Sequence, residues 1–148
     1  QWISDPKIAW ISIGVIGVWS IIGYNMVLFI SGLQEIPGDY YEAAMIDGAT
    51  GIKQFFHITI PLLSPTTFFI VQTRVIGALT IFDLMFMVMD KTNLALNKVQ
   101  SVVYLFYDYS FTKGNKGTGA ALVVMLLVFI MIVTVIMQWC EKKFVYHN

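Results

Sequence analysis

Two runs of this chain carry no charge at all, and they constrain its fold more than any other feature. Ile8–Gln34 is uncharged over 27 positions and Gly117–Cys140 over 24. A third stretch, Pro61–Met89, holds only Arg74 and Asp83 in 29 positions. Crossing a hydrocarbon core about 30 Å thick takes roughly 20 apolar residues in a helix. An unpaired backbone amide in lipid costs several kcal/mol, so these segments must close their hydrogen bonds internally. The reading is an all-α membrane protein with three transmembrane helices, at about 8–34, 63–89 and 117–140. Composition agrees, at 57% hydrophobic and 12% charged, where an ordinary soluble domain carries about 25% charge. Trp10 stands near one end of a span, and Trp139 and Tyr146 near the end of another, where aromatic belts form.

Several classes are excluded early. The formal net charge is zero, which argues against a nucleic-acid partner. The single Cys140 permits no internal disulfide and no cysteine metal cluster. No His/Cys/Asp/Glu spacing suits a metal, no serine elbow occurs, and "GNKGTG" lacks the Lys-Ser/Thr ending of a phosphate loop. The chain opens on Gln1, with no signal pattern before Ile8, so more chain is expected upstream. Small residues in the first span (Gly14, Gly17, Ser20, Gly23) and at the start of the last (Gly117, Gly119, Ala120, Ala121) predict close helix packing. The 90–116 connection reads as a polar loop with a turn-rich end.

The segment between the first two spans is less simple. Pro37 and Gly38 break the first helix, and Asp39 with Glu42 three residues on has the spacing of a capping box. A short helix over Tyr40–Asp47 would end at Gly48, which takes a positive φ at little cost. Thr50 would cap a second helix with Ile52, Phe55, Phe56 and Thr59 on one face, and Pro61 and Pro65 would stop it. Helices this short are marginal in water. Four acids (Glu35, Asp39, Glu42, Asp47) against Lys53 make an anionic lipid surface a poor support. A protein partner receiving the helix pair is the better account.

The stretch "EAAMIDGATGIKQFFHITIP" resembles the loop signature of ATP-binding-cassette importer permeases: Glu-Ala-Ala, three residues, Gly, nine residues, then Ile-x-Leu-Pro. Glu42, Ala43, Ala44, Gly48, Ile58 and Pro61 fall in register, with Ile60 where Leu is usual. "GLQEIPGDYYEAAMIDGA", "FDLMF" and Asp5–Pro6 resemble the carbohydrate-uptake subfamily, while "MDKTNLAL" departs from its usual Thr-x-Gly-Gly-Pro. The resemblance implies the C-terminal half of a permease about twice this length. It implies a 35–60 coupling loop docking on a cytoplasmic ATPase subunit through Glu42, Ala43, Ala44, Asp47, Gly48, Ile58 and Pro61, and an external 90–116 loop. It further implies a second permease subunit, an extracellular or periplasmic solute-binding protein, and a bacterial or archaeal cell membrane. ATP would be hydrolysed on the partner, so no cofactor and no enzyme activity are expected of this chain. Charge alone points the other way: Lys7, Lys91, Lys98, Lys113 and Lys116 lie opposite Lys53, Lys142 and Lys143, and the positive-inside rule would place the five inside. The motif is given the greater weight.

Arg74 lies about ten residues into the helix that begins near Ser64, roughly 15 Å from its end. A central arginine costs at least about 2.5 kcal/mol, so it must face protein or water. Two roles stay open: pairing with another helix, or lining a path for a hydroxylated or anionic substrate. Asp83, nine residues on, would fall on the opposite face of one continuous helix. Arg74 shares a face with Gly77, Ala78 and Ile81, and Phe82 or Tyr24 could offer an aromatic surface to a sugar. Asn25, with Tyr24, is a candidate for the same path or for an interhelical hydrogen bond. Sugars or oligosaccharides are the expected cargo, a phosphorylated or acidic polyol the alternative. A membrane enzyme or a non-transport docking protein are the other classes weighed.

Overall fold

The computed structural model describes residue 5, residues 7–88 and residues 96–144. Among them every regular element is helical, as the uncharged runs require. Helix α1, Ala9–Gln34, has 26 residues and α8, Lys116–Phe144, has 29. Both are long and apolar enough to cross a membrane, with mean hydropathies of 2.0 and 3.2 over their best windows. Trp10 and Trp139 are largely exposed near opposite ends of the two helices, and the Lys143 ammonium lies 5.8 Å from the Trp139 ring centre. Tyr146 lies outside the described residues.

The middle span differs from the straight 63–89 helix expected. Helix α4, Ser64–Leu79, has 16 residues, about 24 Å at 1.5 Å per residue. The chain then breaks over residues 80–82 and resumes as α5, Asp83–Val88. The break has a local cause. The Thr80 hydroxyl donates to the Ile76 carbonyl at 3.0 Å, a competition that bends and ends helices, and Gly77 three residues earlier weakens the turn. Asp83 then supplies an acid to the first turn of α5, where the helix dipole favours it. Arg74 and Asp83 are therefore not held on opposite faces of one helix, since no single helix carries both. Met89 and most of "MDKTNLAL" lie outside the described residues.

The chain divides into two compact units. One comprises residues 1–21 and 74–134. Its core gathers Ala9 and Ile13 of α1, Met85 of α5, Leu96 of α6 (Leu96–Val99) and Tyr104 of α7 (Val102–Tyr107). The 90–116 connection is thus largely helical where described, not a plain polar loop. Ser101 starts α7 by accepting a hydrogen bond from the Tyr104 amide at 3.1 Å, and Asn115 does the same for α8 through the Thr118 amide at 3.1 Å. A ring cluster (Phe82, Phe86, Tyr104, Tyr107, Phe111) fills the space between, with neighbouring centroids 5.3–6.3 Å apart.

The other unit comprises residues 22–73 and 135–148. Here α1 meets the start of α4 so closely that a Cβ at Gly32 would lie 2.5 Å from Thr66 Oγ1 and 2.9 Å from Thr66 Cβ. Close packing does occur on small residues, but at Gly119 alone of the glycines the sequence pointed to, and at Gly32, which it did not. A Cβ at Gly14 or Gly23 would meet nothing within 4 Å, one at Gly17 only Leu84 at 3.7 Å, and the Ser20 hydroxyl turns back to the Ile16 carbonyl. Among the glycines expected to pack, Gly119 alone is tight, since a Cβ there would collide with Ser110 Oγ.

Candidate functional site

The 35–63 segment forms an elbow of two helices, α2 (Asp39–Ile46) and α3 (Gly51–Leu62). Helix α2 begins one residue earlier than the capping-box spacing predicts. Gly38, already in right-handed helical geometry, stands at the cap position and no side chain caps the helix. The Gly38 carbonyl receives the Tyr41 and Glu42 amides at 2.9 and 3.1 Å. Pro37 with its fixed φ starts the turn, so Asp39 sits inside the helix and acts through the dipole instead.

The end of α2 follows expectation closely. Gly48 has φ +70°; its amide donates to the Met45 carbonyl at 3.0 Å and the Ala49 amide to the Ala44 carbonyl at 2.9 Å. These are the two bonds of a Schellman cap. Thr50 then adopts an extended conformation at the cap position of α3, without using its hydroxyl. The Gln54 side chain donates back to the Ala49 carbonyl at 3.2 Å, holding the turn against α3.

Pro61 does not stop α3. The helix runs through it by widening to a π-turn over Phe55–Thr59, in which the Ile60 amide donates to the Phe55 carbonyl. A proline lacks the amide that would bond the carbonyl four residues back, and its ring crowds that carbonyl. Widening the turn accommodates both defects. The wider turn also rotates Thr59 off the face carrying Ile52, Phe55 and Phe56. Thr59 is buried, with its Oγ1 hydrogen-bonded to the Tyr41 hydroxyl at 2.9 Å, while the other three stay exposed. The direction change falls at Leu63, where α3 and α4 meet at 57°.

The elbow presents a mixed surface. Glu42, Ala43, Asp47 and Gly48 are exposed, while Ala44, Ile58 and Pro61 are half-buried. Around them Ile46 is 88% exposed and Ile52 75%, with Met45, Phe55 and Phe56 also open to solvent. Ala44, Asp47, Ala49, Lys53, Gln54, His57 and Ile58 line a concavity of about 290 Å³ in the crook of the elbow. The His57 ring Nδ1 lies 3.1 Å from the Lys53 carbonyl.

The candidate path residues are divided between the two units. Tyr24 and Asn25 belong to one unit, and Arg74, Gly77, Ala78 and Phe82 to the other. Tyr24 is exposed; Asn25 is half-buried, its Oδ1 fully so and without a hydrogen-bond partner among the described residues. Arg74 is half-buried on α4, with Gly77 and Ala78 exposed beyond it. Phe82 is drawn into the ring cluster, stacked on Phe86 at 5.3 Å. At the rim of that cluster Lys113 pairs with Asp108 at 2.8 Å and lies 4.1 Å over the Tyr109 ring. The hydrogen bond that Lys113 donates to the Asp108 carboxylate raises the Lys113 pKa above its ordinary value. Sequence reasoning missed the Tyr41–Thr59 pair, the Gly32–Thr66 contact and the ring cluster. For the first two no local signal existed, because each joins residues 18 or more positions apart.

Membrane-length helices joined through an exposed helical elbow define an integral membrane protein. The chain belongs to the family of binding-protein-dependent transport system inner membrane components, whose model matches residues 1–146. It is similar to the arabinooligosaccharides transport system permease protein AraP of Bacillus subtilis (32% identical, over 92% of this chain and 43% of that protein). It is also similar to the sn-glycerol-3-phosphate transport system permease protein UgpA of Agrobacterium fabrum (35% identical, over 94% and 47%). Among solved structures it shares its fold with a bacterial ABC transporter involved in the import of the acidic polysaccharide alginate (TM-score 0.81, 17% identical, over 96% of this chain and 49% of that one). The chain thus spans under half the length of these proteins, the first two of which are named as transport system permeases.

Proposed function

We propose that this chain is the membrane-spanning part of an ATP-driven importer of sugars or oligosaccharides, corresponding to the C-terminal half of one permease subunit. The elbow carries the reading: two short helices are locked at fixed geometry by the Gly48 cap, yet leave Met45, Ile46, Ile52, Phe55 and Phe56 in solvent. An apolar face of this kind is a protein-binding surface rather than a stable free one. Its likeness to the importer-permease loop signature supports a cytoplasmic ATPase subunit as the occupant. The 35–60 loop then lies in the cytoplasm and 90–116 outside. Closure of the ATPase dimer would displace the docked elbow and shift the helices between inward- and outward-facing states, a population shift driven by differential contacts. A second permease subunit and an external solute-binding protein complete the assembly, and Tyr24, Asn25, Arg74, Gly77, Ala78 and Phe82 are the candidate path residues.

The test is cross-linking in the full-length permease, with Cys140→Ser to remove the native thiol and Ile46→Cys on the exposed face of α2. A cross-link to the co-expressed ATPase that changes with ATP is the expected result. Labelling of that cysteine from outside by an impermeant reagent, with no cross-link, would invert the topology and end the importer reading.

A phosphorylated or acidic polyol is the second reading of the cargo, favoured by the likeness to UgpA and by the half-buried Arg74 of α4. It predicts that Arg74→Ala abolishes uptake of glycerol 3-phosphate, whereas a neutral disaccharide would be carried as before.

A further inference from the structure

Resting on the docking role above, we infer that the Tyr41–Thr59 hydrogen bond is the latch through which movement of α2 reaches α4. Helix α2 buries none of its residues, so it has no packed core through which to push. Its ties to α3 are the connecting turn, the Gln54 bond to the Ala49 carbonyl, and the 2.9 Å bond between the Tyr41 and Thr59 hydroxyls. The first two act at the elbow's hinge. Among the hydrogen bonds of the described residues, the third acts across its arms, joining positions 18 apart in the chain.

Thr59 is placed for this. Hydroxyls elsewhere (Ser20, Thr67, Thr73, Thr80) donate back to the carbonyl four residues earlier in the chain, whereas the hydroxyl of Thr59 is paired with another helix. The π-turn imposed by Pro61 rotates it there, and the residue is only 8% exposed, so water competes poorly for the bond. The Thr59 carbonyl in turn accepts the Leu63 amide at 2.9 Å, at the bend into α4. Tyr41 adjoins Glu42 at the start of the motif and Thr59 stands two residues before the Pro61 that ends it. The latch ties the docking face to the base of a spanning helix. Tyr41 and Thr59 are thus positioning residues, acting through α2 and α4.

The experiment uses the assembled full-length importer, with native cysteines replaced and spin labels at Ile46→Cys on α2 or Phe69→Cys on α4, both exposed positions. In the parent both labels change environment and distance on adding ATP. In Tyr41→Phe, which keeps the ring and its packing, the Ile46 label should respond as before. The response at Phe69 should fall roughly fivefold, the equilibrium worth of one net hydrogen bond. Thr59→Val should match Tyr41→Phe, Thr59→Ser should restore the parent response, and the double variant should be no worse than either single one. An undiminished Phe69 response in Tyr41→Phe, or additive effects in the double variant, overturns the latch alone. No ATP response of the Ile46 label in the parent overturns the docking reading, and the latch with it.

Discussion

Replacing Gly32 by alanine sets two effects of opposite sign against each other. Within an isolated helix the change gains up to about 1 kcal/mol, because glycine is a poor helix former. At this site the new methyl would lie 2.5 Å from Thr66 Oγ1, 2.8 Å from Cγ2 and 2.9 Å from Cβ. Rotating the Thr66 side chain moves the first two atoms but not the third, so the backbones of α1 and α4 must part by several tenths of an ångström. Overpacking of this severity falls in the upper part of the usual range of about 1–3 kcal/mol. The net expectation is a loss of roughly 1–2 kcal/mol, the packing term exceeding the propensity term. Reversible unfolding of the full-length permease in mixed micelles, followed by tryptophan fluorescence, measures it. Gly32→Ala with Thr66→Ala should recover part of the loss, since two of the three collisions vanish. A Gly32→Ala protein as stable as the parent, or more so, would refute the close approach of the two helices.

Gly48→Ala should destabilise the elbow by about 1–2 kcal/mol through its left-handed backbone alone, since a Cβ there meets nothing within 4 Å; faster hydrogen exchange at the Ala49 amide reads it. Asn115→Ala should cost about 1 kcal/mol by uncapping α8, with fraying of the Thr118 amide as the local signature. Asp108→Asn should lower the Lys113 pKa toward its ordinary value, followed by NMR titration of the labelled lysine. The sign follows from the raised folded pKa: the pair's contribution is present at neutral pH and lost as pH climbs through the lysine's titration range.

Much of the elbow was legible because its determinants are local. Gly48 ends α2 as read, since a positive φ is a property of one residue, and the motif spacing located both arms. Asp39 was misplaced by one position because Pro37 and Gly38 compete to start the same turn. Pro61 was read as a stop, yet a π-turn lets the helix pass, a remedy available only when the wider turn has somewhere to put Thr59. The glycines were harder. Gly14, Gly23 and Gly32 look alike in sequence, and only Gly32 faces a neighbour that comes near.

The sequence by itself determined that the chain is helical and membrane-borne, because lipid offers backbone amides no other partner and the uncharged runs have the length to cross it. It also marked the helical elbow, through a spacing that survives without knowledge of neighbours. The tertiary structure alone decided that the middle span halts at Leu79, that Gly32 rather than Gly14 or Gly23 packs closely, and that Tyr41 meets Thr59. Each of these depends on which side chain lies opposite across a helix contact, and that is set by packing between elements distant along the chain.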